Sequence, residues 1–515
     1  GIVGANDAGE EFFAHKNALG YDYYSFFMQL KERRLSKTLM LDNLVIGKYI
    51  GGFGMGLVVN NGFSLGQSTM LASAGRISTG FRPHASTTDG NYFQGLATTI
   101  GNVSKPNHAK HKASVFASYR FINANRSGDS ITTILTSGYH RTENELLKKN
   151  TATATTLGAN YQFGIKRIAV GATAAYTHLN RTLMPDKRQA FRLYYPEGKN
   201  FFNAGLNYSY MGKRFSFRGE TAIAPAKQAN DSLQGTALAT INSICFRPSY
   251  SFNATLLHRY FSTQYAALNA RTFSESTSIQ DENGVFVSLL WRCNYEITLN
   301  YYTDFAHFAR PKYLVSRPSN IVENVLLATW HKQKWTATLR ARLKNREYDN
   351  EAKTALVWKN NFSLRLQGEY NANGSNFTTT KKEQLDLHGK LLLQYSHYDK
   401  ATKTSNGFLA MLSGGLQPLH WLSLDIATGY FNTDDYYSAI YCYERGLSYG
   451  MNYSQYYGEG MRFSLLLRSE ISKKVSAALK FGTTKYFDRA LIGTALDEIQ
   501  SSMKSDIDLQ IRLKL

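Results

Sequence analysis

Asp506-Ile507-Asp508-Leu509-Gln510-Ile511-Arg512-Leu513-Lys514-Leu515 alternates ionic or amide side chains with aliphatic ones without a break. Successive side chains of a β-strand point to opposite faces, so this stretch builds a strand with one greasy face and one ionic face. The same period returns along the chain. Trp335, Ala337, Leu339, Ala341 and Leu343 alternate with Thr336, Thr338, Arg340, Arg342 and Lys344. Phe362, Leu364, Leu366 and Tyr370 alternate with Ser363, Arg365, Gln367 and Glu369, and Phe202, Ala204, Leu206, Tyr208 and Tyr210 alternate with Asn203, Gly205, Asn207 and Ser209.

The segments between these runs are alternately short and long. Lys166-Arg167, Gly212-Lys213-Arg214, Cys293-Asn294, Lys359-Asn360 and Ser472-Lys473-Lys474 read as tight turns. Long connections cover 125–150, 181–199, 263–282, 306–320, 432–459 and 488–500. Antiparallel hairpins with tight turns on one rim and elaborate loops on the other are the layout of outer-membrane barrels. The expected fold is therefore all-β: a transmembrane antiparallel β-barrel of about 22 strands (20–24) with short periplasmic turns and long extracellular loops. Tyr176, Tyr210, Tyr301, Tyr370 and Tyr430, at strand ends, fit its aromatic girdles. A soluble β-sandwich also alternates, but strands of about 10–13 residues exceed its usual length of about 5–6. The strand count carries one parity defect. Between expected turns at Asn360-Asn361 and Gln417-Pro418-Leu419 an even number of strands is required, and the pattern gives three.

Composition agrees with this class. The 515 residues include 34 Tyr, 30 Phe, 40 Gly and only 9 Pro; 19% are charged and the formal net charge is +21. Mean hydropathy is −0.35. No stretch approaches the 18 consecutive apolar residues of a transmembrane helix. Cys245, Cys293 and Cys442 are too few and too scattered for a disulfide framework or a CxxC metal site. Gly1-Ile2-Val3-Gly4 lacks the basic and apolar regions of a signal peptide. Residues 1–20 form an N-terminal segment and 21–515 a single barrel. Within it, residues 50–89 do not alternate and are expected to be irregular, as a lumenal plug or a rim segment. Thr142-x-x-Glu145 has capping-box spacing and predicts a short helix in an outer loop.

Several short motifs carry a resemblance. Gly54-Met55-Gly56-Leu57-Val58 with Gly62-Phe63-Ser64-Leu65-Gly66 is similar to a "GQGL…FS(M/L)G" segment. Gly138-Tyr139-His140-Arg141-Thr142, Tyr194-Tyr195-Pro196-Glu197-Gly198, Thr433-Asp434-Asp435-Tyr436 and Tyr456-Tyr457-Gly458-Glu459-Gly460 add to it. Together they resemble outer-membrane β-barrel proteins of Bacteroidota whose longer members carry N-terminal helix-hairpin-helix repeats. The likeness runs over roughly 20–515, and no such repeat precedes residue 20. It implies an integral outer-membrane location and fixes no activity.

Chemistry is sparse. Gly52-Phe53-Gly54-Met55-Gly56 lacks the βαβ setting and downstream acid of a dinucleotide loop, and no Walker lysine follows. A close-packed or bent backbone explains the glycines better. No GxSxG or HExxH spacing occurs, and neither His140 near Glu143 and Glu145 nor His108-x-x-His111 defines a catalytic or metal site. No cofactor is implied. Strand parity instead assigns lumen-facing charges: Arg218, Glu220, Arg340, Arg342, Lys344, Arg365, Arg468 and Lys480, with Arg462, Arg512, Lys514, Glu296, Asp304, Glu369, Asp425, Glu470, Asp506 and Asp508. These ten bases and eight acids account for +2 of the +21, so the remaining +19 belongs mainly to turns and loops. Arg181, Lys187, Arg188, Arg192 and Lys199 crowd one loop; Lys105, Lys110 and Lys112 crowd a turn. Basic loops at a rim meet either solvent or anionic partners. The expected function is non-enzymatic: a passive or gated outer-membrane pore, or the membrane subunit of a larger envelope transport or assembly complex. A hydrolase sited in the outer loops and a DNA-uptake factor are the alternatives. Expected partners are outer-membrane lipid and lipopolysaccharide, then protein partners in an envelope complex; nucleic acid has only the basic loops and the family resemblance in its favour.

Overall fold

A computed structural model describes residues 1–6, 10–13, 17, 19–62, 78–87, 89–103, 108–227, 233–372, 386–448, 452–493 and 498–513. Contacts divide the chain into two compact units. The first comprises Gly1–Ser249, Asn253–Val287 and Asp304–Asn320; the second comprises Tyr250–Phe252, Ser288–Thr303 and Ile321–Leu515.

The strands are, in order, β1 (Ile2–Ala5), β2 (Tyr23–Arg34), β3 (Leu39–Gly54), β4 (Ser78–Pro83), β5 (Phe93–Asn102), β6 (Lys110–Ser127), β7 (Ser130–Leu135), β8 (Ala152–Ile165), β9 (Ile168–Leu183), β10 (Gly198–Met211), β11 (Phe215–Lys227), β12 (Leu233–Phe246), β13 (Phe252–Phe261), β14 (Glu282–Arg292), β15 (Ile297–Phe308), β16 (Ser319–Lys332), β17 (Trp335–Asp349), β18 (Leu356–Asn371), β19 (Asp386–Lys400), β20 (Lys403–Leu419), β21 (Leu422–Thr433), β22 (Ile440–Tyr443), β23 (Tyr453–Tyr456), β24 (Glu459–Ser469), β25 (Val475–Tyr486) and β26 (Met503–Leu513). Helix α1 (Glu143–Leu146) is the expected loop helix, and its capping box is complete: Thr142 accepts from the Glu145 N–H while Glu145 reaches back to the Thr142 N–H.

All but β22 and β23 belong to one 24-stranded sheet, and the fold is a large antiparallel β-barrel. In the first unit β2, β3, β5, β6, β8, β9, β10, β11 and β12 pair in succession, with β1 on the free side of β2. The six-residue strands β4 and β7 are side branches on β3 and β6. In the second unit β16 through β21 and then β24, β25 and β26 pair in succession.

The parity defect resolves at one place. The expected turn at Lys359-Asn360 does not exist, and the chain runs straight through it as β18. Asn-Asn is a turn signal, but Asn360 is paired to Asn345 on one side and Asp399 on the other, and its Nδ2 donates to Asp399 Oδ2 at 3.1 Å. Pairing on both edges outweighs local turn preference. Two further corrections concern 50–89. Its first residues continue β3 to Gly54, and Ser78–Pro83 pairs back on that extension, from Tyr49↔Pro83 to Gly54↔Ser78. Residues 63–77 and 88 of that segment lie outside the described residues. Glu296 and Glu470, assigned to strand faces, lie in short turns, while the quoted C-terminal stretch is strand from Asp506 to Leu513 and Lys514 lies outside the described residues.

Which face is buried is inverted relative to a soluble sheet. Along β24 and β25 Met461, Leu479 and Phe481 are 46%, 41% and 36% exposed, while Arg462 and Lys480 between them are 6% and 5% exposed. Along β9 Ile168, Val170 and Tyr176 are exposed while Thr173 and Thr177 are buried. Such an arrangement suits a sheet whose outside meets hydrocarbon. All five tryptophans, Trp291, Trp330, Trp335, Trp358 and Trp421, sit on the exposed face, and all but Trp358 flank short turns. Near the opposite rim, tyrosine and histidine tips of that face share cross-strand asparagines: Tyr176 and His178 on Asn200, Tyr395 and His397 on Asn406. Apolar body with hydrogen-bonded tip is what an interfacial girdle needs. On the other face, compact apolar clusters occur where loops fold onto the strands, around Ile122, Ile131 and Leu183 in the first unit and around Leu409, Phe431 and Ile440 in the second.

Candidate functional site

In the first unit the glycine-rich segment turns onto the polar face. After Gly54 the chain reverses, with a bridge between Gly52 and Asn60. Glu220 of β11 accepts the N–H of Met55 at 2.5 Å and of Leu57 at 3.2 Å. This backbone nest, which looks like a phosphate loop in sequence, already holds the protein's own carboxylate. Gly54 and Gly56 have φ of +58° and +94°, and a Cβ on Gly56 would fall 2.1 Å from the Arg271 carbonyl. The loop between β13 and β14 closes over it: Tyr265 Oη donates to the Leu57 carbonyl and Thr272 Oγ1 to the Met55 carbonyl, both at 2.7 Å.

That loop is itself tied down by a fully buried arginine. Arg259 Nε donates to Glu282 at 2.5 Å and its two terminal nitrogens donate to Asp304 at 2.7 and 2.9 Å. Glu282 also accepts the Ser274 hydroxyl at 2.6 Å and the Glu275 N–H at 2.9 Å. Gly284 leaves the space, since a Cβ there would lie 2.5 Å from Arg259 Cζ. Strand parity marked Asp304 but passed over Arg259, although Leu257-x-Arg259-x-Phe261 places it on the same face as two buried apolar neighbours.

In the second unit the long connection after β21 folds in as the ribbon β22–β23. Asp435 starts it, accepting the Tyr437 N–H at 2.8 Å and the Ser405 hydroxyl at 2.6 Å. Burial pushes the Asp435 carboxyl up, but these bonds and Lys403 outweigh it and hold the group below the ordinary carboxylate range. The ribbon then crosses the polar face. Arg365 donates to the Tyr441 carbonyl at 3.1 Å, and Cys442 rests on Met411 at 3.7 Å. Glu444 accepts from Arg462 at 3.0 Å, from Lys480 at 3.3 Å and from the Tyr456 hydroxyl. Arg445 reaches Asp425 at 2.8 Å, where His388 at 2.9 Å and Arg468 at 3.2 Å also converge. Beneath the ribbon lies a cavity of about 300 Å³ lined by Glu369, His388, Lys390, Met411, Asp425 and Arg445 among others.

The residues singled out from sequence thus fall into different settings. Glu220, Arg468 and Lys480 anchor in-folded loops. Arg342 and Lys344 share Glu323, at 2.9 and 3.1 Å, a carboxylate that sequence reasoning missed. Arg218 is half-buried beside Met211, and Arg340 lies half-buried opposite Arg365. The basic loop is largely self-neutralised. Arg181 pairs with Asp129, Lys187 with Glu197 at 2.5 Å and Arg188 with Asp186 at 2.9 Å, while Arg192 stacks on Phe191. The Arg188 hydrogen bonds lower the Asp186 carboxyl to about 2.

His140 is buried in a clasp between the N-terminal segment and the α1 loop. Its Nδ1 donates to Asp22 at 2.6 Å, its Nε2 accepts from Asn123 at 2.9 Å, and its N–H donates to Glu10 at 2.9 Å. Glu10, Asp22 and His140 could in principle surround a cation. Lys149 Nζ already occupies that role, 2.6 Å from Asp22 and 2.9 Å from Asn17. Burial raises the Asp22 carboxyl, but His140 and Lys149 together lower it further than burial raises it. Both ring nitrogens are committed, and these contacts tie the N-terminal segment to the α1 loop.

No family model and no curated protein matches the chain. Solved outer-membrane proteins resemble it at low identity. The siderophore receptor PirA from Acinetobacter baumannii is 9% identical, TM-score 0.42, covering 89% of this chain and 73% of that one. The copper transporter OprC is 9% identical, TM-score 0.41, covering 92% and 77%. The outer-membrane protein OpdK from Pseudomonas aeruginosa is 9% identical, TM-score 0.31, covering 78% and 96%. Likeness at this level identifies no shared cargo.

Proposed function

We propose that this chain is an integral β-barrel of a bacterial outer membrane and acts as a pore whose polar interior is narrowed by in-folded loops. The inverted burial carries this reading: Lys480 and Arg462 are buried while Leu479, Phe481 and Met461 of the same strands are exposed. In water that arrangement would expose rows of hydrocarbon, whereas in a bilayer it places them against lipid. The tryptophans beside the short turns and the Tyr–His–Asn clusters near the long loops support two interfacial girdles. The motif resemblance to Bacteroidota barrels supports the same location. Wide barrels need their lumen filled or wet. The segment after Gly54 and the β22–β23 ribbon each occupy the polar face of their own unit, which favours a restricted pore over an open one.

The test has two parts. The full chain should resist carbonate extraction from outer membranes and migrate faster in SDS before boiling than after. In planar bilayers it should give small, steady conductance steps. Extraction by carbonate with no mobility shift refutes the barrel. A protein that passes the first part but carries no current is better explained as the membrane subunit of an envelope complex, to be recovered with its partners in mild detergent. A loop-sited hydrolase finds no support in the His140 clasp, and the self-paired basic loop gives little support to DNA uptake.

A further inference from the structure

On β24 and β25 the polar-face cations have carboxylates. Arg462 has Glu444 and Asp506, Arg468 has Asp425, and Lys480 has Glu444. The patch formed by β17 to β20 is different. Its polar-face positions on β17 are Arg340, Arg342, Lys344 and Arg346, four cations at every second residue. At the end of the patch that shares a rim with the long connection after β21, where the links 350–355 and 401–402 are themselves short, Arg346 lies opposite Lys359, Lys359 opposite Lys400, and Lys400 opposite Lys403, so one row across four strands is entirely basic. Nearer the strand centres Arg340 lies opposite Arg365.

The acids do not cover these charges. Glu323 serves Arg342 and Lys344, Glu369 serves Lys390 at 3.6 Å, and Asp435 serves Lys403 at 3.4 Å. Among the described residues Arg340, Arg346, Lys359 and Lys400 have no carboxylate within ion-pair distance, and Arg365 has only the neutral oxygens of Gln394 and Tyr441. Aromatic rings stand where acids would: Tyr348 lies 5.2 Å from Arg346 and 5.3 Å from both Lys359 and Lys400, and Tyr398 lies 5.1 Å from Lys359. A ring face steadies a cation but brings no negative charge. Directly opposed like charges destabilise a sheet, because their Cβ atoms stand only about 4.5–5.5 Å apart. Arg346, Lys359 and Lys400, the three members of the row without an acid, thus form a site that gains from an incoming anion.

We propose that the polar face of β17–β20 is an anion track, and that the pore selects small solutes bearing phosphate or carboxylate groups. This rests on the pore reading above. The row Arg346–Lys359–Lys400 receives the anion at the long-loop end, and Arg340 with Arg365 takes it further along. From Arg346 to Arg340 the track runs about 20 Å along β17. Several shallow sites in series bind strongly enough to attract an ion and weakly enough to release it. The row lies on the face that the ribbon covers, not the face of Leu339, Leu343 and Leu364, so lipid phosphates are not its ligands.

The test uses the full chain in planar bilayers under a potassium chloride gradient, with tripolyphosphate as the binding probe. Near 0.1 M salt, chloride should permeate about five-fold better than potassium. The preference should fade toward parity near 1 M as the screening length shrinks from about 10 to about 3 Å. The variant Arg340→Gln, Arg346→Gln, Lys359→Gln, Lys400→Gln should bring the ratio to about one, and Lys359→Gln alone should shift it part of the way. Lys473→Gln with Lys474→Gln, in a short turn, should leave it unchanged. In parallel, calorimetry on the detergent-solubilised protein should show salt-dependent tripolyphosphate binding that the four-fold variant loses. A silent bilayer with intact tripolyphosphate binding would remove the pore and keep the anion site. Cation preference in the parent, an unchanged ratio in the four-fold variant, or no tripolyphosphate binding by a conducting parent would each overturn the anion track.

Discussion

Arginine placed at successive depths on the lipid face of β17 should report the position of the membrane directly. Trp335 is exposed, packs tilted against Tyr370 with ring centroids 4.8 Å apart, and borders the short turn after Lys332, so it marks one interface. With strands tilted about 40°, each residue advances about 2.5 Å through the bilayer. Leu339 then lies about 10 Å from that interface, near the middle of an apolar band about 25 Å tall, and Leu343 lies about 20 Å along, close to the far boundary. Leu339→Arg should cost about 2–4 kcal/mol and Leu343→Arg about 1 kcal/mol or less. Thr338 faces the other way, opposite Thr329 and Gln367; Thr338→Arg should change stability by about 0.5 kcal/mol or less. Urea titration in phospholipid vesicles, read by tryptophan fluorescence, measures all three, since every tryptophan is on the exposed face. A Thr338→Arg cost equal to that of Leu339→Arg, or a larger cost at Leu343 than at Leu339, would refute the assignment of faces and of depth.

Arg259→Met strands the buried carboxylates of Glu282 and Asp304 and should cost about 3–5 kcal/mol; adding Glu282→Gln and Asp304→Asn should recover much of it in the same titration. Gly56→Ala puts a methyl against the Arg271 carbonyl at a positive φ and should cost about 1–3 kcal/mol, seen as faster amide exchange confined to residues 50–62 and 262–281. The Asp22 carboxyl is held below its ordinary value, so its contribution to the clasp is present at neutral pH and is lost as pH falls through that lowered value; exchange at residues 136–150 should rise on strong acidification, and a Lys149→Met variant should show the rise already at neutral pH. Cys293 is exposed in a short turn while Cys442 is buried; a bulky maleimide should modify Cys293 in detergent but not in intact cells, and labelling of intact cells would invert the assigned topology.

The two-residue period was enough to identify the strands, the lipid-facing rows and the class of fold, because alternation is a local property of a pleated chain. It also gave a strand number that agrees with the sheet once β4 and β7 are set aside, though by two cancelling differences: one strand split at Asn360 and one, β1, unrecognised. A turn signal is local, and the pairing that overrides it at Asn360 is not. Parity likewise placed Arg342, Lys344, Arg468 and Lys480 on the polar face, but not which of them meet acids. Glu323 comes from a neighbouring strand and Glu444 from a ribbon folded in from a loop. Whether a cation is paired depends on register and on how loops fold onto the sheet, both set by contacts between residues distant in the chain. That is why the basic row Arg346–Lys359–Lys400–Lys403, drawn from four strands, became visible only when the strands were laid side by side.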